Sequence, residues 1–534
     1  MQASTLPLRL ARGILLQHVL PAVALVWGAV GAQAGEPVNL INVHSFPSSV
    51  AEGINPRGDL LLDAADGNFY GTTHGGGTVG AGTVYRMLPT GELGVLHSFA
   101  GAPTEGANPY AGVVKGTDGS YYGTTYSGGA KQAGTVYKVA GDGTFSTLHS
   151  FSTDKRGGYF PYTGVVQGSD GNFYGTTLRG GANDMGTVFK MDTAGTLTQL
   201  YEFKGSDGSN PEGALVVGPD GALYGTTALG GTSDRGSVYK ITTSGTLTTI
   251  YSFATLGAFN AAGVATNPDG ANPRAGLTLG TDGNFYGTAY QGGTEGLGTV
   301  FRLTPAGMIT TLHAFAGAPN EGAGPLSGVT RDIDGTLYGT TERGGGSGQG
   351  TAWRITPAGV FQHLHAFTGL GFDGATPYAT LVPSGGFIYG VTYSDSTLRS
   401  GSAFKLDPGT GGVLPVTITT TPATIAVGAG ATLSWSAPAA TGCTAAGAWS
   451  DTIAVSGTKA LAPTDAGRYT YLLSCTDADG VVRNAQSVFV VTAPSAKPVD
   501  AGATTGGGGG ALGGVALLLL SSFAGLRVRK RLLG

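Results

Sequence analysis

Asp118-Gly119-Ser120-Tyr121-Tyr122-Gly123-Thr124-Thr125-Tyr126-Ser127-Gly128-Gly129 is the stretch whose reading decides the fold, because the chain repeats it. Tyr-Gly followed by Thr or Val, then Thr or Ala, recurs at Tyr70, Tyr122, Tyr174, Tyr224, Tyr286, Tyr338 and Tyr389, at spacings of 52, 52, 50, 62, 52 and 51 residues. The long step holds an extra segment around Leu256 to Thr266. An Asp-Gly turn precedes the tyrosine at Asp66, Asp118, Asp170, Asp220, Asp282 and Asp334, with Gly385 in place of the aspartate in the last copy. A Gly-Thr-Val-Tyr-Lys type strand follows, beginning at Gly82, Gly134, Gly186, Gly236, Gly298, Gly350 and Gly401.

A fourth element, of Leu-His-Ser-Phe type, ends at Phe46, Phe99, Phe151, Phe203, Phe253, Phe315 and Phe367. Its first copy precedes the first complete repeat, and no copy follows the last Gly-Thr-Val type strand. A unit of about 50 residues with four short strands is the size of a propeller blade. The offset predicts an all-β, seven-bladed propeller over 35–413, in which residues 38–46 supply the outer strand of the last blade. Such closure removes an exposed edge. Gly112, Gly164, Gly213, Gly276 and Gly328 fall on the expected innermost strands, where bulky side chains from seven blades would collide. An open β-solenoid does not call for equal counts of all four elements with a one-strand offset.

The Asp-Gly-x-x-Tyr-Gly-Thr-Thr-x-x-Gly-Gly and Gly-Thr-Val-Tyr-Lys segments resemble the GloVer-type tandem repeats of bacterial "choice-of-anchor" surface proteins, over residues 38–406. That resemblance implies export and varied C-terminal anchors, and no particular reaction or ligand. Beyond Gly412 the repeat stops, and Val416, Ile418, Ile425, Leu433 and Trp435 alternate along a new strand-rich unit, 414–493. Asp465-Ala466-Gly467-Arg468-Tyr469 resembles the turn before strand F of immunoglobulin-like sandwiches, where the tyrosine forms a corner. Trp435 precedes Cys443 here, and Cys475 lies six residues past Tyr469, both departures from antibody domains. The resemblance therefore implies an immunoglobulin-like variant with a Cys443–Cys475 disulfide outside the usual position; the alternative is two buried thiols.

The ends read as sorting signals. Arg9 and Arg12, an apolar run from Gly13 to Gly31, and Ala32-Gln33-Ala34 make a secretory signal over 1–34 cleaved after Ala34, the alternative being an uncleaved anchor. Residues 494–510 form a linker ending in Gly506, Gly507, Gly508, Gly509 and Gly510. An apolar run from Ala511 to Leu526 and the cluster Arg527, Arg529, Lys530 and Arg531 complete a transmembrane tail over 511–534. The layout resembles the GlyGly-CTERM sorting signal, which implies a rhomboid-type intramembrane protease as partner. The expected location is periplasmic, cell-surface or secreted, with a transient or permanent membrane anchor. Export permits a disulfide between the only two cysteines.

The formal charge of −4 hides an asymmetry: six of the 29 basic residues lie in those end segments, leaving 23 against 33 acidic residues, a net of −10. An acidic body without a basic stripe argues against nucleic acid as partner. A copper-radical oxidase of kelch type needs a cysteine joined to tyrosine, and residues 35–413 contain none. Sialidase-like Asp boxes and His-x-x-x-His metal motifs are also missing. The recurring His44, His97, His149, His313 and His365 belong on outer strands and cannot converge.

The loops from each outer strand to the next inner strand gather at one mouth of the channel. Six carry an acid four residues before a proline: Glu52, Glu105, Asp207, Asp269, Glu321 and Asp373. These either order their own turns or form a carboxylate ring for a cation, calcium for instance; no other cofactor is expected. The residue after the proline varies, as Arg57, Tyr110, Tyr162, Glu212, Arg274, Leu326 and Tyr378. Of these, Arg57, Tyr110, Tyr162, Arg274 and Tyr378 are the candidate ligand-binding set, with tyrosines for stacking on a glycan. No catalytic residue is assigned. The leading function is a non-catalytic binding or adhesion scaffold; the alternative is a secreted polysaccharide-active hydrolase or lyase, for which near-identical carboxylates offer no divergent pKa values.

Overall fold

Every Tyr-Gly-Thr-Thr type segment forms the second strand of a four-stranded antiparallel blade in the computed structural model of the protein, and in blade 1 a fifth short strand, Ile54–Pro56, also pairs with it. The structure describes residues 40–492 other than 47–50, 155–156, 261–263, 320, 371–372, 395–399, 409–416, 423, 438–439, 450 and 478–481. The signal at 1–34 with its cleavage after Ala34, the glycines Gly506 to Gly510 and the tail at 511–534 therefore lie outside the described residues. Among the described residues no helix is long and apolar enough to cross a membrane.

The motif's residues have separate tasks. Tyr122 donates from its hydroxyl to Asp118 Oδ2 at 2.9 Å, fastening the Asp-Gly turn, and its ring lies 4.1 Å from Phe173 of the next blade. Gly123 is required because a Cβ there would sit 2.4 Å from the hydroxyl oxygen of Tyr137, the aromatic of the neighbouring Gly-Thr-Val-Tyr strand. Thr124 donates across the blade boundary to the Thr163 carbonyl at 2.7 Å. Thr125 Oγ1 pairs with Thr135 Oγ1 at 2.8 Å, a cross-strand contact that recurs as Thr73–Thr83, Thr177–Thr187, Thr227–Ser237, Thr341–Thr351 and Thr392–Ser402.

From the axis outward, blade 1 is Leu61–Leu62, Phe69–Gly75, Thr83–Met87 and Leu93–Ser98. Blade 7 is Val382–Ser384, Phe387–Thr392, Ser402–Leu406 and then Leu40–Ser45, the chain's first described strand. Leu40 faces Leu406 and Ser45 faces Ser402 in antiparallel register, so main-chain hydrogen bonds close the ring. The propeller's core lies between blades. Its buried apolar residues form seven clusters, each shared by two consecutive blades, including Phe46, Tyr389 and Val391 of blade 7 against Leu60, Phe69 and Met87 of blade 1.

Residues 417–492 form a two-sheet sandwich. One sheet holds Thr417–Thr421, Ala431–Ser436 and Ser456–Leu461; the other runs Thr424–Ala426, Val482–Thr492, Gly467–Asp477, Ala440–Gly447 and Asp451–Ile453. Leu433, Leu473 and Phe489 fill the core. Cys443 and Cys475 are bonded, and they face one another on adjacent strands of a single sheet. The Tyr469 hydroxyl donates to the Asp465 carbonyl at 3.0 Å, making the expected corner.

Candidate functional site

The residue before each proline turns the chain with a left-handed backbone. Asn55, Asn108, Asn210 and Asn272 have φ between 55° and 58°, which asparagine tolerates better than most side chains. Asn108 Nδ2 then donates to the His74 carbonyl at 3.0 Å, and Asn272 Nδ2 to the Ala228 carbonyl at 2.9 Å. The proline that follows packs on the glycine opening the preceding blade's third strand: a Cβ on Gly82 would lie 2.7 Å from Pro109 Cδ, and one on Gly134 would lie 2.6 Å from Pro161 Cδ. With that pair of residues clamped, the next side chain is delivered to the axis.

All seven variable side chains, Arg57, Tyr110, Tyr162, Glu212, Arg274, Leu326 and Tyr378, line one cavity of about 360 Å³ at the channel mouth. The Arg57 guanidinium lies over three rings, 4.0 Å from the centre of Tyr110, 5.3 Å from Tyr162 and 5.2 Å from Tyr378. Its Nη2 donates to the Tyr162 hydroxyl. Across the mouth Arg274 Nε is 3.8 Å from Glu212 Oε2, and its guanidinium lies 4.7 Å from the Tyr290 ring centre. Burial pushes the Glu212 carboxyl up, opposed by Arg274 and Arg57, and burial pushes the Tyr378 phenol up to about 12.

Sequence reasoning missed a second tier. The residue after each Tyr-Gly-Thr-Thr also varies, and His74, Tyr126, Tyr290, Glu342 and Tyr393 stand behind the first tier. The Tyr110 ring is 5.1 Å from His74 and 4.7 Å from Tyr126, and Tyr378 is 5.2 Å from Tyr393. Glu342 accepts from the Tyr290 hydroxyl at 2.9 Å. Burial, then Arg57, holds the His74 imidazole below its usual pKa. Deeper in the wall lies Asp59, where the other blades carry Gly112, Gly164, Ala214, Gly276, Gly328 and Thr380, two residues before each inner strand and not on it as the sequence suggested. Asp59 is open to the channel yet surrounded by protein. It accepts from the Thr380 N–H at 2.7 Å, and desolvation raises its pKa.

The six acids do not form a ring at this mouth. Each holds its own blade's outer strand: Glu52 Oε2 is 3.3 Å from His44 Nε2, Glu105 2.9 Å from His97, Glu321 3.1 Å from His313 and Asp373 2.6 Å from His365. Asp207 and Asp269 accept from the hydroxyls of Tyr201 and Tyr251, each at 2.5 Å. Five of them also accept a turn N–H, from Ala100, Lys204, Ala254, Ala316 or Thr368. The carboxylate-ring expectation is thus corrected: the proline clamp turns the +1 residue inward while the acid stays with the outer strand. Among the described residues no group of three His, Cys, Asp or Glu side chains is placed to hold a metal ion.

Fold and site define a seven-bladed repeat propeller whose identical residues build the ring and whose unlike residues line one mouth. The Gloeobacter/Verrucomicrobia repeat family matches residues 55–267 and 257–451, most of the chain, and the protein belongs to that family. Comparison with curated proteins gives no match. Among solved structures, the extracellular domain of a one-component system, BT4673 of B. thetaiotaomicron, is 11% identical at a TM-score of 0.43, covering 86% of this chain and 58% of that one. A 6-phosphogluconolactonase-type protein of Bacteroides uniformis is 18% identical at 0.36, covering 57% and 83%; puromycin hydrolase is 12% identical at 0.41, covering 85% and 63%. The chain thus spans under two thirds of the first of these. At such scores and identities the likenesses say nothing of activity.

Proposed function

We propose that the protein is an exported, non-catalytic binding module that holds a glycan in the mouth of its propeller, with the sandwich as a spacer toward a membrane-sorted tail. The observation that carries this reading is the convergence of seven unlike residues, from one repeat position, on a single cavity. Its size falls within the roughly 300–1,000 Å³ of small-molecule sites, and its tyrosine faces and hydrogen-bonding edges suit sugar rings. The Cys443–Cys475 bond fits an oxidising compartment, and the N-terminal signal pattern supplies the route.

An enzyme acting on the same glycan is the second reading, favoured by two unlike carboxylates at the cavity, Asp59 and Glu212. Burial pushes both upward, so nothing in their surroundings drives one toward acid and the other toward base. That supports binding without turnover. The test is to change Tyr110, Tyr162 and Tyr378 together to alanine and to screen neutral and acidic oligosaccharides. Binding is expected to disappear with little change in melting temperature, and no new chain ends are expected from the wild type. Unaltered binding by the triple variant places the site elsewhere, and release of fragments establishes the enzyme.

A further inference from the structure

Of the two arginines that line the cavity, Arg274 has a carboxylate, Glu212, at 3.8 Å. Among the described residues Arg57 has none within ion-pair reach, although it is half-buried. Its charge is held by aromatic faces and one phenol oxygen. A guanidinium has five N–H donors in one plane, and stacking on Tyr110 occupies a face without using that plane's edge. A partly desolvated cation with unused donors gains most from an anion whose two oxygens match the fork, a carboxylate above all. Two residues further along the chain Asp59 also lines the cavity, the only charged residue at its level of the channel wall among the described residues. It bonds the Thr380 N–H through one oxygen and is an acceptor suited to sugar hydroxyls.

From this placement we propose that the mouth recognises the terminal uronic acid of an acidic polysaccharide. The sugar carboxylate meets Arg57, the ring lies against the tyrosines and a hydroxyl is donated to Asp59. The end of a chain is favoured over its middle because the site lies at the hub of a closed ring whose neighbouring inner segments touch, so a chain enters along the axis and not from the side. A Cβ on Gly112 would already stand 2.1 Å from the Asp59 carbonyl oxygen. This inference rests on the glycan reading above.

A matched pair of probes separates the two: oligogalacturonate, and the same oligosaccharide after its carboxyls are reduced to alcohols. Titrated calorimetrically into the full-length protein, the acid form is expected to bind about tenfold or more tighter than the reduced form. That preference should shrink as salt is raised. Arg57→Met should abolish the preference, so that the acid form binds no tighter than the reduced form, and Arg57→Lys should restore part of it, since lysine keeps the charge without the fork. A melting curve on each variant excludes misfolding. Equal binding of both probes, lost in the triple tyrosine variant, overturns the uronate assignment and leaves the glycan reading intact. Binding of neither probe, with binding of a quaternary ammonium such as choline to the tyrosines, overturns both.

Discussion

Glu105 and Tyr110 stand five positions apart on one connection between blades, and their fates differ in a way that holds around the ring. Glu105, like Glu52, Glu321 and Asp373, is spent on a histidine of its own outer strand. Tyr110 stands at the axis against residues from other blades: Arg57 of blade 1 and Tyr162 of blade 3. The acidic position is nearly uniform because each blade needs the same turn. The position after the proline is free to differ because the clamp, not the side chain, holds the backbone there. Uniformity marks scaffold, and variation facing a shared cavity marks the place where one asymmetric site can be assembled.

The largest expected effect comes from breaking the scaffold side of that contrast. A Cβ on Gly112 would meet the Asp59 carbonyl oxygen, a backbone atom that no side-chain rotation can move, at 2.1 Å, whereas at the equivalent Gly164 the nearest atom is 3.4 Å away. Gly112→Ala is expected to cost about 1–3 kcal/mol by overpacking, and Gly164→Ala less than about 0.5 kcal/mol, as away from such clashes. Denaturant melts of the two variants decide it. Equal losses would mean that the inner wall is uniformly tight and that Asp59 holds no special place in it.

The ring was legible in the sequence because a propeller stores its design in each repeat: Tyr122, Gly123, Thr124 and Thr125 each have a job that recurs wherever the motif does. Closure was legible from one displaced strand ending at Phe46. The first tier of the mouth was legible through variation after the proline. The second tier, with His74 and Glu342, carried the same signal one residue past Tyr-Gly-Thr-Thr, hidden by the constancy of what precedes it. The acids were misplaced as a possible ring because sequence shows their position along the loop but not the direction in which a clamped loop turns. A constant spacing of eight residues, His97 to Glu105, His313 to Glu321 and His365 to Asp373, was the available clue to their real partners.

That pairing gives an intermediate effect with a defined pH dependence. Glu321 is held below its usual carboxylate range chiefly by its hydrogen bond to His313, with further help from the Ala316 N–H and the charge of His363. A lowered folded-state pKa means that the stabilisation is fully present above the ordinary value of 4.5 and is lost as pH falls through the lower folded value. Glu321→Gln is expected to cost about 1 kcal/mol at neutral pH, and the gap from wild type should close in acid. Binding at the mouth should not change. A gap independent of pH would show that Glu321 acts through its shape and not its charge, and a change in ligand affinity would restore the acids to the site.

The smallest effect tests whether variation by itself signals function. The aromatic of the third strand also differs between blades, as Tyr85, Tyr137, Phe189, Tyr239, Phe301, Trp353 and Phe404. These side chains are fully buried between blades and do not line the cavity at the mouth. The hydroxyls of Tyr85, Tyr137 and Tyr239 have no hydrogen-bond partner among the described residues, and burial raises the pKa of each. A buried donor without a partner carries a desolvation cost that phenylalanine avoids, at the price of a gap no larger than one oxygen atom. Tyr85→Phe, Tyr137→Phe and Tyr239→Phe are therefore expected to lie within about 0.5 kcal/mol of wild type and on the stabilising side. Phe189 and Phe404 already show that blades 3 and 7 close without that oxygen. A loss above about 1 kcal/mol would mean that the hydroxyls are bonded in the folded protein, and the boundary between scaffold and site would then run through the core as well as around the mouth.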